Sequence, residues 1–210
     1  MYSLLSFLYR SLEDFLRELD KKVAHESVHE FRAQRLEQDL AKLSGIERFV
    51  HEGLASYIGD EKFYMDDGMI EQEMSFWLPL TLRYVTSRED LEQLKEIAKV
   101  VVERYVDKKY PYNTSLYEIV FEADFMKEYV DLNNVKEVEE ELSEIFLGPA
   151  NPFYKTARYM VRQIVERGSE EMLRYLTSQP GIEIISTYQQ LGCNPPIDSL
   201  TYDMIKANSY

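Results

Sequence analysis

Residues 23–58 read VAHESVHEFRAQRLEQDLAKLSGIERFVHEGLASYI, and this stretch decides how the rest of the chain is read. Apolar residues recur at helical spacing on both sides of a Ser44-Gly45 break. Before it stand Val23, Val28, Phe31, Leu36, Leu40 and Leu43; after it stand Ile46, Phe49, Val50, Leu54, Tyr57 and Ile58. The spacing predicts two helices, over 22–43 and 46–58. Ser44 is placed to cap the second, with Glu47 three residues on as in a capping box. Gly59-Asp60 is a stop signal.

The first of these helices contains His25-Glu26-Ser27-Val28-His29, an HExxH. Residues i and i+4 lie one above the other on a helix, so two imidazoles at that spacing can share one metal ion. The glutamate after the first histidine then lies beside the site, where it can polarise a water held by the ion. A catalytic zinc needs a third protein ligand and an open fourth position. A histidine six residues after the second, with a glycine three after it, would be one way to supply the ligand. Arg35 and Arg32 occupy those positions and exclude it. The candidate is instead Glu52, on the second helix. Gly53 beside it has no side chain and is expected to let the two helices approach closely. His51 points about 100° round the helix from Glu52, so the two cannot easily hold one ion. It reads as a supporting or surface residue, with ligation as a minor alternative; Glu47 reads as a cap partner before a ligand.

Working outward, residues 2–20 carry Leu4, Leu5, Leu8, Leu12, Phe15, Leu16 and Leu19 on one helical face. Residues 60–69 read as an acidic loop. Helices are expected over 70–86, where Pro79 should kink or end one, and over 88–107, 115–131 and 134–147. KKYPYNTS at 108–115 is turn-like. GPANP at 148–152 is a breaker, and Pro152 suits the first turn of a helix over 152–167. Gly168 ends that helix and Ser169 starts a shorter one. QPG at 179–181 and GCNPP at 192–196 mark an irregular end, with Ile182–Ile185 as a candidate short strand. No repeat or linker divides the chain. The expectation is one mostly α domain over 1–210, little or no β-sheet, a metal site between two adjacent helices within 23–58, and a helical C-terminal portion over 70–210.

Composition narrows the partners. The chain has 24 Lys plus Arg against 38 Asp plus Glu, a net charge of −14. Nucleic-acid and anionic-membrane binding rest on basic residues, so neither is expected. Hydrophobic residues make up 45%, enough for a core rather than a disordered chain. The single cysteine, Cys193, allows no intrachain disulfide and fits a reducing compartment. The N-terminus lacks a basic leader and no stretch is apolar enough to span a membrane, so a cytoplasmic location is expected. All three histidines fall at 25, 29 and 51.

HESVH, followed 23 residues after His29 by Glu52 in HEGLASY, resembles the gluzincin-type zinc metallopeptidases, some of which carry their third ligand in an EGLAxY-like segment. Residues 154–176, YKTARYMVRQIVERGSEEMLRYL, resemble the helix pair found downstream in such proteins. The resemblance implies a zinc ion held by His25, His29 and Glu52, with Glu26 as general base. Glu26 would take a proton from water and pass it to the leaving amine of a peptide substrate. Those enzymes have a β-sheet before the HExxH helix, whereas the residues before His25 read as helix. A tyrosine is left to stabilise the oxyanion; Tyr154 is the choice made, with Tyr159, Tyr57 and Tyr64 beside it.

Other readings stand against this one. His25 and His29, flanked by Lys21, Lys22, Glu30 and Arg32, can be a solvated face. A di-iron carboxylate site needs two Glu-x-x-His pairs, and only Glu26–His29 is present, since Arg48 precedes His51. Asp66, Asp67, Glu71 and Glu73 lack a calcium-loop pattern. Cys193 reads as a structural thiol. The competing function is an acidic helical adaptor or chaperone that binds a protein partner, its HExxH a structural zinc staple or an accident.

Overall fold

A computed structural model describes residues 12–43, 45–59, 67–105, 134–148 and 152–207. Among them the chain forms α-helices and one 3-10 turn, with no strand. The helices are α1 (Leu12–Arg35), α2 (Gly45–Ile58), α3 (Asp67–Thr86), α4 (Leu91–Tyr105), α5 (Val135–Leu147), α6 (Pro152–Arg167), α7 (Glu170–Leu176), α8 (Gly181–Gln190) and α9 (Ser199–Ala207). No helix among the described residues is long and apolar enough to cross a membrane.

Helix α2 is the hub. It is the most apolar helix near the site, and Phe49, Val50, Leu54 and Ala55 are fully buried. Its closest neighbour is α6, which runs parallel to it: Phe49 meets Phe153 edge to face at 5.5 Å, and Arg158 donates to the Ser56 carbonyl. A Cβ on Gly53 would lie 2.6 Å from the Ala157 carbonyl oxygen, so only glycine permits this approach. The close contact expected of Gly53 is therefore made to α6 and not to the HExxH helix. The glycine that abuts α1 is Gly59, where a Cβ would lie 3.0 Å from the Lys21 carbonyl oxygen and 3.2 Å from the His25 Cβ.

Helix α1 lies antiparallel to α2. Asp39 turns the chain between them by capping Leu40–Lys42, its side chain accepting from the Ala41 amide. The two helices predicted over 2–20 and 22–43 are, in the described part, one helix that ends at Arg35. Asp20-Lys21-Lys22 contains no breaker, so the charge run is a solvated part of a continuous helix. Ser44, Asp66, Tyr64 and the predicted helix over 115–131 lie outside the described residues; so does most of the 60–69 loop, whose last residues open α3.

Helix α3 passes through Pro79 without ending. Proline removes one backbone hydrogen bond, but buried Trp77, Leu78, Leu80 and Leu82 bracket it and hold the helix in place. Helices α4 and α5 close this side. Trp77 and Tyr84 both pack on Phe146, at 5.7 and 4.4 Å, and the Tyr84 hydroxyl donates to Glu139, which also accepts from Arg88. Ser169 caps α7 by accepting from the Met172 amide. Ile182–Ile185 is helical, not a strand. Gly181, Ile184, Ile185 and Tyr188 are buried at a helical period, and packing on α2 and α6 overrides the β-branched composition.

Candidate metal centre

The antiparallel pairing of α1 with α2 brings the three sequence-predicted ligands together. Their nitrogen and oxygen atoms lie within 4.8 Å of one another. His25 Nε2 and His29 Nε2 are 3.1 Å apart. Glu52 Oε2 stands 3.7 Å from the first and 3.5 Å from the second. Ligands about 2.1 Å from a tetrahedral zinc are separated by about 3.4 Å, so these edges describe one face of such a tetrahedron. The donor set, two imidazoles and one carboxylate, is one that zinc accepts.

The side chains are 14, 13 and 16% exposed for His25, His29 and Glu52. The three side chains are thus largely sheltered, with a small part of each reaching solvent. Both histidines present Nε2, so a metal held there needs the ring proton on Nδ1 of each. The solvated-face reading of the two histidines does not describe their surroundings.

His51 is not in this cluster. It is 1% exposed, its ring stacks on His29 at 5.8 Å, and its Nε2 lies 3.0 Å from Gln38 Oε1. Burial, with Arg32 and then His29 nearby, pushes its pKa down to about 3, so the ring is neutral and donates from Nε2. A surface position for His51 is excluded; it lies behind His29.

Glu47 is not a ligand either. One of its oxygens faces Arg32 and the other accepts from the Gly181 amide. Glu26 is exposed. It lines a surface hollow of about 430 Å³ with Lys22, Val23, Ser27 and Glu30, along the solvent side of α1, and it is outside the ligand cluster. Tyr154 is half-buried on α6, its ring edge to face with Phe153 at 5.3 Å. Tyr159 is buried and Tyr57 half-buried. Cys193 is buried and its thiol is pushed up by that burial, an environment for an inert thiol. Glu73 is buried and accepts from the Trp77 indole, so it belongs to the core rather than to an acidic site.

A cavity of about 770 Å³ lies elsewhere. It opens between the start of α2, the end of α3 and the start of α5 and contains none of the three ligands. Its lining charges are Lys42, Arg88 and Lys136 with Glu47, Glu89 and Glu139, of which Arg88 and Glu139 are paired, and it is lined by no histidine.

Sequence reasoning missed three residues around the cluster: Arg32, Gln38 and Gly59. Arg32 carried a signal. It follows His29 by three residues and so shares its helix face, where a buried charge must have partners. No family model, no curated protein and no solved structure matches the chain.

Proposed function

We propose that the chain is a zinc-dependent hydrolase acting on peptide bonds, with His25, His29 and Glu52 holding the metal. The observation that carries this reading is the convergence of two Nε2 atoms and one carboxylate oxygen, from two α-helices consecutive in the chain, at tetrahedral separations. Zinc bound there supplies Lewis acidity, polarising a carbonyl and bringing the pKa of water near neutrality.

The protein's own groups do the rest. Glu52 and the two imidazoles keep a small part of their surface in solvent, where water can reach them. Glu26, one residue along from His25 and exposed, takes a proton from the attacking water and returns it to the leaving amine. The Tyr154 hydroxyl donates to the carbonyl oxygen as charge builds on it. The chain's charge of −14 favours no polyanionic substrate, consistent with a peptide in a cytoplasmic setting.

One observation favours a second reading, a zinc-stapled helical adaptor. Glu26 lies on an exposed hollow, and Leu16, Leu19 and Val23 on the same helix are exposed at contact spacing. Both readings expect zinc, and Glu26→Gln separates them. On the hydrolase reading this variant keeps its zinc and loses peptide cleavage, measured on a mixed peptide library. Cleavage that survives in Glu26→Gln removes Glu26 from the mechanism. A zinc-loaded wild type without cleavage leaves the staple.

A further inference from the structure

The two ligand-bearing helices are pinned on both sides of the cluster. On one side Gly59 sits against the Lys21 carbonyl and the His25 Cβ, where an added Cβ would be tight enough to make its neighbours shift. On the other, one turn beyond His29, stands Arg32, whose side chain is 0% exposed. Its Nη1 donates to the carbonyl oxygens of Thr177 at 2.9 Å and Gln179 at 3.0 Å, with Leu176 at 3.4 Å. Its Nη2 donates to Glu47 Oε2 at 3.4 Å, while Glu47 Oε1 accepts from the Gly181 amide. One guanidinium therefore joins α1, the start of α2, the end of α7 and the start of α8.

This arrangement uses what arginine has and lysine lacks. The planar fork donates in two directions at once, to a carboxylate and to a set of carbonyls. A buried charge is costly to hold, and replacement by apolar residues is often neutral for stability. Stability is thus a weak reason for Arg32 to stand there, and position is a stronger one. His25, His29 and Arg32 share α1, and Glu47 and Glu52 share α2. The Arg32–Glu47 contact sets how α1 crosses α2 at that end, and so how far the two Nε2 atoms stand from the Glu52 carboxylate.

We infer that Arg32 is a positioning residue for the metal cluster, acting through Glu47, and that it links the metal to the turn between α7 and α8. The inference rests on the metal-binding part of the proposed function. Coupling of this kind is reciprocal: metal that fixes the crossing of α1 and α2 also holds the 177–181 turn, and an undocked turn weakens metal binding. Burial draws the Arg32 pKa down to about 10 while Glu47 opposes the shift, as expected for a cation kept inside by its partners.

The test compares the wild type with Arg32→Lys, which keeps the charge and loses the fork, and with Glu47→Gln. Tyr188→Phe serves as a control, because it removes a buried hydrogen bond to the Pro195 carbonyl without touching α1 or its clasp. Zinc affinity is measured by competition with a chelator, coordination by the visible spectrum of the cobalt(II) form, and fold by circular dichroism. Arg32→Lys and Glu47→Gln should keep their helix content, bind zinc about 10–100-fold more weakly and show altered cobalt bands. Tyr188→Phe should match the wild type in both metal readouts. Wild-type affinity and spectrum in a folded Arg32→Lys or Glu47→Gln would overturn the inference and leave the metal site standing. Equal weakening in Tyr188→Phe would overturn it too, by tracing the effect to general stability. If Arg32→Lys does not fold, Glu47→Gln decides alone. A wild type that takes up no zinc overturns the metal reading itself, and this inference with it.

Discussion

The face of α2 that meets α6 and the face that meets α1 are built from opposite chemistry. Toward α6 it shows Phe49 and Gly53, packed on Phe153 and Ala157 at distances that admit no extra atom. Toward α1 it shows Glu47 and Glu52, whose carboxylates meet Arg32, His29 and His25, and His51, whose ring stacks on His29. The first face is filled by shape. The second is held by a few directed contacts around a cluster that is partly exposed. A helix that is anchored on one face can carry polar, metal-binding side chains on the other, because the apolar face alone keeps it in place.

That division can be broken by substitution. Phe49→Ala removes a fully buried ring, and an unfolding free energy lower by about 3–5 kcal/mol is expected in denaturant titration. A loss below about 1 kcal/mol would mean that α6 does not anchor α2. Gly53→Ala places a methyl group against the Ala157 backbone, and a smaller loss of about 1–3 kcal/mol is expected. An unchanged midpoint would show that α2 and α6 can separate at little cost.

A third prediction uses the other aromatic region, beyond α6. Tyr84 is buried and hydrogen-bonded to Glu139, and burial first, then Glu139, pushes its pKa up to about 12. In the unfolded chain it ionises near 10, so between the two values the unfolded state has released a proton that the folded state still holds. Stability is therefore full below pH 10 and falls as pH rises, by up to about 1.4 kcal/mol per pH unit for this group. Tyr84→Phe should flatten that alkaline fall; an unchanged slope would show that Tyr84 meets water. Glu52→Ala is expected to change the stability of the metal-free protein least, by about 1 kcal/mol or less, since its carboxylate contributes no core packing. A loss as large as that of Phe49→Ala would erase the distinction between the faces.

The apolar face was legible in the sequence because burial leaves a period. Phe49, Val50 and Leu54 recur at helical spacing, and the Pro152 and Ser169 starts follow from their own backbone chemistry. The clustering of His25, His29 and Glu52 was legible for a different reason: His25 and His29 stand one turn apart on one helix, and Glu52 lies on the next α-helix. What failed depended on tertiary partners. Gly53 signals a close approach, expected toward α1, but the approach is made to α6. Ile182–Ile185 has strand composition but lies against α2 and α6, where helical burial wins. Pro79 is expected to kink or end its helix, and the helix does not end there, because its buried neighbours hold it. Arg32 looks like a surface residue in the sequence, and His51 could be a supporting or a surface one, because the burial of a charge or an imidazole shows only once its partners, here carbonyls 144 to 147 residues away for Arg32, are known.

The central claim is that His25, His29 and Glu52 form one metal site. It is tested most directly by the metal content of untagged protein, reconstituted with zinc and dialysed, beside the Glu52→Ala variant. The account predicts about one zinc per wild-type chain and a clear loss from the folded variant. A wild type that retains no zinc, or a Glu52→Ala variant that retains as much, would contradict it.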